Sequence, residues 1–424
     1  MREELLQYAW ANLLLRTLTF RTRDGEEVEV LSPGVWNRQG EGPDFQEAVI
    51  RWRSMKWYGA IEFHMESDDW YRHNHHLDKA YNQVILHVVH KSSGQVIRRE
   101  DGTVVPEIEL SPYLIKWPMY RAEGKQGGKL ACSNLLRQVP EKIRAQAYSM
   151  GAEKRILRRL SELRLRLKEL QFDWNQLYWE QMWYYSGVPY HKKAFLKAAR
   201  ALPYSIVIQY RDNPLALLSL FLGYFDLLKE QQSIVPVSHL IMKQLWEHLK
   251  RKHQIPSPFS DHLFPRKQSS PVNSFLFRIM ETLAFFIHYP NFDETFFRKE
   301  NIDQTQLIQT LEEMKEWIPV NRKWKQNGFD GLFARWKINV WLPLLLLKYQ
   351  ETGNPNLVGI LSEYQNLPPE TNHVTTTYSE QFLEPRNAWE SQGILELERY
   401  FCSMQNCLSC PVGKFLLKRS SVPA

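Results

Sequence analysis

Apolar residues change their spacing near residue 17 and again near residue 137, and each change marks a change of structure. Leu5, Leu6, Ala9, Leu13 and Leu14 recur near helical spacing and predict a helix over residues 3–16. Shorter runs rich in β-branched and aromatic residues follow, predicting strands over 18–22, 28–31, 48–53, 57–65, 83–90, 95–99 and 104–110. The first two flank Arg23-Asp24-Gly25-Glu26, a hairpin signal, while Ser32-Pro33-Gly34 and Gly40-Glu41-Gly42-Pro43 punctuate loops. Ser67-Asp68-Asp69-Trp70-Tyr71-Arg72-His73 reads as an N-capped helical turn.

From residue 137 onward helical periodicity takes over. It predicts helices over 141–170, 174–185, 192–201, 214–231, 236–252, 273–287, 304–317 and 333–350, with a last one over 388–401. Residues 256–271 and 367–377, rich in Pro, Ser and Thr, read as connectors. The expected class is α+β. A mixed-sheet domain (1–135) precedes a mostly helical one (136–350), and 351–424 form a connector, a final helix and a Cys-rich end packing back on the first domain.

A chain of 424 residues exceeds one ordinary core, and 43% hydrophobic residues, including 15 Trp, supply enough apolar surface to exclude global disorder. The net charge of +7 is compatible with a nucleic-acid partner without requiring one. The start is charged and lacks the apolar core of a secretory signal, and no apolar run approaches the ~18 residues of a membrane span. A cytoplasmic protein without membrane association is therefore expected.

The chemistry concentrates in Gly42-Pro43-Asp44-Phe45 and in Gly59-Ala60-Ile61-Glu62-Phe63-His64. Period-2 geometry puts Glu62 and His64 on one face of a strand, with Ile61 and Phe63 on the other. If the neighbouring strand pairs as a hairpin, Asp44 lies beside them. Two carboxylates and an imidazole suit Mg²⁺ or Mn²⁺, an ion able to bind a phosphate and generate hydroxide. Asp68, Asp69, His73, His75, His76, Asp78 and His87 follow closely, and His87 and Asp69 are candidate ligands alongside Asp44 and Glu62. Taken singly, a Glu-x-His pair on an amphipathic strand is more often a solvated face.

Residues 1–110 resemble the PD-(D/E)xK nuclease superfamily. Pro43-Asp44 matches its first motif, Glu62-Phe63-His64 the second, and Glu3 or Glu4 the upstream acid of some members. The resemblance implies a metal-dependent nuclease with Asp44, Glu62 and His64 as catalytic residues. It departs at His64, where the family has Lys; a pKa near ~6.5 there would make activity steeply pH-dependent. Over its whole length the chain resembles an uncharacterised bacterial domain-of-unknown-function family. That resemblance rests on Gly42-Pro43-Asp44-Phe45, residues 57–64, 67–76 and 81–89, Ser391-Gln392-Gly393-Ile394 and the stretch from Cys402 to Gly413.

The four cysteines, Cys132, Cys402, Cys407 and Cys410, end in Cys-x4-Cys-x2-Cys-Pro, a spacing that chelates Zn²⁺ or holds an iron–sulfur cluster, with Cys132 as fourth ligand. Ordinary buried cysteines are the plain alternative. The Cys-Pro ending favours iron–sulfur, and the arrangement resembles iron-stapled nucleases, although their trio is spaced differently.

Residues 137–169 hold ten basic and four acidic side chains beside a leucine stripe. Arg155, Arg158, Arg159, Arg164 and Arg166 are candidates to bind nucleic-acid phosphates, against the plainer reading of a solvated helix face. Trp174, Trp179 and Trp183 read as core, with base stacking as the functional alternative. The expected function is a metal-dependent nuclease. The alternatives are a catalytically inactive nuclease-fold scaffold that binds nucleic acid, and a zinc-dependent small-substrate hydrolase built on the His73–Asp78 cluster.

Overall fold

A computed structural model describes residues 3–11, 15, 17–37, 42–113, 132–187, 191–229, 235–256, 272–292, 304–318, 320, 324, 329–354, 356–381, 384–404 and 406–419. Two compact units emerge: residues 1–150, 373–384 and 394–424 form one, and residues 151–372 and 385–393 the other.

The first unit opens with α1 (Glu3–Ala11), followed by strands β1 (Thr19–Arg21), β2 (Glu27–Ser32), β3 (Val35–Trp36), β4 (Phe45–Trp52) and β5 (Met55–Glu66). A short helix α2 (Asp69–Arg72) precedes β6 (Val84–Lys91), β7 (Ile97–Arg98), β8 (Val104–Val105) and β9 (Glu107–Glu109). The main sheet runs β1-β2-β4-β5-β6-β9, with β3 paired to β4; β7 and β8 form a separate ribbon. The sheet is mixed: β4 and β5 pair antiparallel, whereas β5–β6 and β6–β9 pair parallel. Ile61 and Phe63 bury one face of β5 in a core with Trp10, Phe20, Phe45 and Ile108. That arrangement leaves Glu62 and His64 on the other face.

Strand β4 begins three residues before the stretch predicted from the sequence. Its register with β5 shifts between Phe45 and Ala48, where Glu47 takes a positive φ of 58°. Phe45 and Ala48 are both buried although three residues apart. This bulge breaks the alternation by which strands are recognised. Gly59 admits the backbone of Gln83, whose carbonyl would lie 2.4 Å from a Cβ at this position, so β6 starts flush against β5.

Arg53 and Ser54 connect β4 to β5 as a two-residue turn with both φ positive, at 51° and 61°. Arg53 contributes its guanidinium to Glu26 and to the face of Trp52. Ser54→Gly is therefore expected to stabilise the fold by roughly 1 kcal/mol, removing the left-handed penalty without losing a contact. Chemical denaturation reads the change, and an unmoved midpoint would contradict it.

The predicted cap of the 67–73 turn is not formed. Asp68 makes no side-chain capping bond, and its Oδ1 accepts from Ser93 Oγ at 2.6 Å. Ser67 is drawn away by Glu107.

Helices α3 (Glu141–Glu169), α4 (Trp174–Ser186), α5 (Lys192–Ala201), α6 (Tyr204–Val207), α7 (Pro214–Tyr224), α8 (Pro236–Lys252), α9 (Val272–His288) and α10 (Gln304–Trp317) follow. Trp179 and Trp183 are buried in the core of the second unit, Trp183 stacked on Phe221 at 4.0 Å, while half-buried Trp174 stacks on Phe292. The helix predicted over 333–350 is α11 (Asp330–Trp336), a π-helical segment (Lys337–Trp341) and α12 (Leu342–Thr352). Pro343 has no N–H to give the Asn339 carbonyl, and Arg159 donates to that oxygen at 3.1 Å.

The predicted connector 367–377 instead contains most of a helix. After α13 (Leu357–Asn366), α14 (His373–Ser379) buries Thr375 and Tyr378, a polar-rich face that the periodicity of apolar residues does not register. The final helices are α15 (Ala388–Leu397), continued by a π-helical turn to Cys402, and α16 (Pro411–Arg419). The predicted connector 256–271 beyond Pro256, Gly40 and Glu41 of the predicted loop, residues 230 and 231, and residues 12–14 and 16 of the first predicted helix lie outside the described residues. Among the described residues no helix is long and apolar enough to cross a membrane.

Candidate metal centre

Parallel register sets Glu62 of β5 beside His87 of β6, and His87 beside Glu107 of β9. Three polar side chains thus form a row across β5, β6 and the end strand β9, and all three are buried. The segment from Ser67 to Gln83 contributes Trp70 and Tyr81, which bury the site with ring contacts to its histidines.

The structure brings Asp44, Glu62 and His64 together. The backbone N–H of Asp44 donates to Glu62 Oε2 at 2.9 Å, and that of Phe63 donates to Asp44 Oδ2 at 2.9 Å. Glu62 Oε1 lies 3.8 Å from His64 Nε2 and 3.4 Å from His75 Nε2. From α1, Gln7 donates to Glu3 at 3.3 Å and to Asp44, linking the first helix to the acids. Burial first, then Asp44, Asp69 and Glu4, raise Glu3 to about 7. Burial also raises the carboxyls of Asp44 and Glu62, Glu62 the more because Asp44 and Glu3 stand close by. Carboxyls crowded in this way, with no Lys or Arg ion pair to any of them among the described residues, hold protons that a dication would displace.

The imidazoles form a second half of the site. One ligand atom each from His64, His73 and His75 lie within 4.8 Å of one another. His64 and His75 are buried and His73 is exposed, so the cluster opens on one side. His75 stacks on Tyr81 at 3.8 Å, and its Nε2, aimed at Glu62, makes no hydrogen bond. Burial and the neighbouring imidazoles lower His64 to about 2 and His75 to about 4, keeping both neutral. Neutral imidazole is the form that ligates metals.

Behind His64 runs a hydrogen-bond chain. Its Nδ1 lies 2.8 Å from His87 Nε2, and His87 Nδ1 lies 2.8 Å from Glu107 Oε2. Burial raises the Glu107 carboxyl, but bonds from His87, Ser92 and Ser67 outweigh it and hold it below its usual value. A carboxylate there accepts a hydrogen bond from the Nδ1–H of His87. His87 then accepts at Nε2, His64 donates from Nδ1, and the lone pair of His64 sits at Nε2, 3.2 Å from His73 Nδ1 and facing Glu62.

Two further sequence-predicted ligands are engaged by other partners. His87 has both nitrogens engaged and orients His64 rather than facing the opening. Asp69 accepts from the backbone N–H of Glu66 and pairs with Arg72, fastening the α2 turn. Glu107 escaped sequence reading. Its signal was an acid inside the apolar run Val104–Leu110, but the three-strand row that gives it a role exists only in the folded sheet.

The five candidate phosphate-binding arginines have partners within the second unit. Arg155 donates to Gln392, Arg158 pairs with Glu162, and Arg159 serves the Asn339 carbonyl. Arg164 binds Glu351 and Gln350, and Arg166 binds Glu180 and Glu169. The face is a seam of ion pairs and amide contacts rather than an open cationic stripe. Most of the partners come from distant points in the chain, beyond the reach of helical spacing.

One family model, described as "Protein of unknown function (DUF2851)", matches residues 3–373. The matched stretch contains every residue of the carboxylate–imidazole site and Cys132, and ends before the cysteine trio. No curated protein and no solved structure matches the chain.

Proposed function

The chain belongs to this family of proteins of unknown function, and we propose that it is a metal-dependent hydrolase of phosphodiesters, acting at the Glu62–His64 site on nucleic acid. The observation that carries the reading is the meeting of His64, His73 and His75, with a Glu62 oxygen near the first and last of them, backed by Glu107 and His87. Three imidazoles and a carboxylate suit Mn²⁺ or Zn²⁺ better than Mg²⁺, which prefers an all-oxygen shell. A dication held there supplies Lewis-acid activation of a phosphoryl oxygen and acidifies bound water.

In this reading Glu62 joins the imidazole ligands to the acids. Asp44 or Glu3, both raised toward neutrality, would accept the proton that water gives up. Trp70 and Tyr81 exclude bulk water. Glu62 keeps the ligand role that its PD-(D/E)xK-like spacing implies, Asp44 acts as a base where that spacing implies a ligand, and His64 acts as a ligand where that superfamily has a lysine. The exposed imidazole of His73 favours a second reading, a zinc-dependent hydrolase of small substrates, because a zinc site with an open position is sufficient for that chemistry.

The test is hydrolysis of single- and double-stranded DNA, RNA and bis(p-nitrophenyl) phosphate with Mn²⁺, Zn²⁺ or Mg²⁺. The wild type is compared with Asp44→Asn and His64→Ala. Cleavage of polynucleotide that falls at least ~100-fold in both variants is expected. Turnover confined to the small ester selects the second reading. No hydrolysis of any substrate with any of the three ions overturns both.

A further inference from the structure

Four cysteines remain that this chemistry does not use, and the fold gathers them. Cys132 begins the turn leading into residues 133–138, Cys402 ends the π-helical tail of α15, Cys407 opens a 3₁₀ turn, and Cys410 directly precedes α16. All four belong to the first unit, and none of them is in a disulfide. Cys132, Cys402 and Cys410 pack into one apolar cluster with Leu136, Tyr378 and Phe401. Gly413 lies so close to Cys407 that a Cβ would meet its carbonyl at 2.1 Å, folding the trio back on itself.

Hydrogen-bond donors point at these sulfurs. The Tyr378 hydroxyl donates to Cys402 Sγ at 3.0 Å, and the backbone N–H groups of Val412 and Gly413 donate to Cys410. Burial raises Cys132 to about 12, with Cys407 and Cys410 adding to it; burial likewise raises Cys402, and Cys410 and Cys132 add to that. Cys132 and Cys402 therefore each sense other thiols of the group. Donors directed at buried sulfur favour thiolate, yet several thiolates cannot share an apolar pocket without a cationic core.

Spacing distinguishes the two cores that such a set holds. A zinc–sulfur bond of about 2.3 Å puts tetrahedral sulfurs about 3.8 Å apart. Among the described residues, the metal-binding side chains that close to within 4.8 Å as a group of three are His64, His73 and His75, and no three of the four sulfurs come that near. A polynuclear cluster spans four cysteines at wider spacing.

The geometry points to an iron–sulfur cluster of the four-iron type, held by Cys132, Cys402, Cys407 and Cys410 and tying residues 402–419 to the turn at Cys132. Its role is structural. The cluster lies within bonds made by the last helix, and its loss unpins that helix from the first unit.

The test is iron, acid-labile sulfide and zinc analysis of the full chain purified without oxygen, followed by reconstitution with ferrous ion and sulfide. About four irons and four sulfides per chain, with broad absorption near ~400 nm, are expected. Cys410→Ser and Cys132→Ser are expected to lose at least half of the iron and to lower Tm. Glu62→Gln is expected to keep the iron, which separates this site from the carboxylate–imidazole one. One zinc per chain without iron overturns the proposal, as does failure to take up iron on reconstitution or wild-type iron content in both Cys variants. The wild-type analysis decides even if a variant fails to fold.

Discussion

Glu62→Gln is expected to make the metal-free protein more stable at pH 8 and to abolish the gain in Tm that Mn²⁺ or Zn²⁺ gives the wild type. The sign follows from burial. A carboxyl whose folded pKa is raised favours the fold least when ionised, so stability falls as pH climbs from about 4.3, the unfolded value, toward the raised one. Glutamine keeps the shape and the acceptor for the Asp44 N–H but removes the ionisation. The expected gain in the metal-free state is on the order of 2 kcal/mol at pH 8, vanishing below pH 4. Dication affinity is expected to fall by about 100-fold or more, since the oxygen nearest His64 and His75 is replaced or neutralised. Thermal melts in EDTA and in Mn²⁺ at several pH values read both effects. A variant that retains the metal-induced shift would remove Glu62 from the ligand set.

Glu107→Ala is expected to weaken dication binding by about 10- to 100-fold although its side chain bonds to His87 and two serines and not to the candidate ligands themselves. Alanine leaves the Nδ1 proton of His87 and the hydroxyls of Ser67 and Ser92 without their acceptor, and stability is expected to fall by about 1–3 kcal/mol. With His87 no longer anchored, nothing selects the tautomer of His64 that presents a lone pair at Nε2. Glu107→Gln retains an acceptor oxygen for His87 and is expected to recover most of the affinity. That rescue separates positioning from plain destabilisation. Equal binding by Glu107→Ala and wild type, measured by calorimetry with Mn²⁺, would show that the chain of imidazoles has no part in holding metal.

The candidate site divides along a physical line between what was legible in the sequence and what was not. Glu62 and His64 share a face because strands alternate, and Ile61 and Phe63 mark which face is core; both facts are local. Asp44 was readable as their neighbour because a short antiparallel connection leaves few alternatives. His87 was visible as a histidine in an apolar strand, but its duty behind His64 depends on the parallel register of β5 and β6, which the sequence does not specify. Glu107 depends on one further strand. The arginines of α3 show the same limit in reverse: helical spacing displayed a basic face, and partners such as Glu180, Glu351 and Gln392 changed its meaning.

By itself the sequence determined the elements whose signal is periodic. The helices over 192–201, 236–252 and 304–317 begin and end where apolar spacing, prolines and polar breaks put them, since propensity and amphipathicity act within a few residues. It also determined that strands precede helices and that Glu62 and His64 share a face. Tertiary structure alone decided the β4 bulge, the π-helical segment before Pro343, the polar-faced helix α14 and the Glu107–His87–His64 chain. Each of these is stabilised by groups far apart in sequence, through strand register, a donor reaching a freed carbonyl, or burial of polar side chains among their own partners.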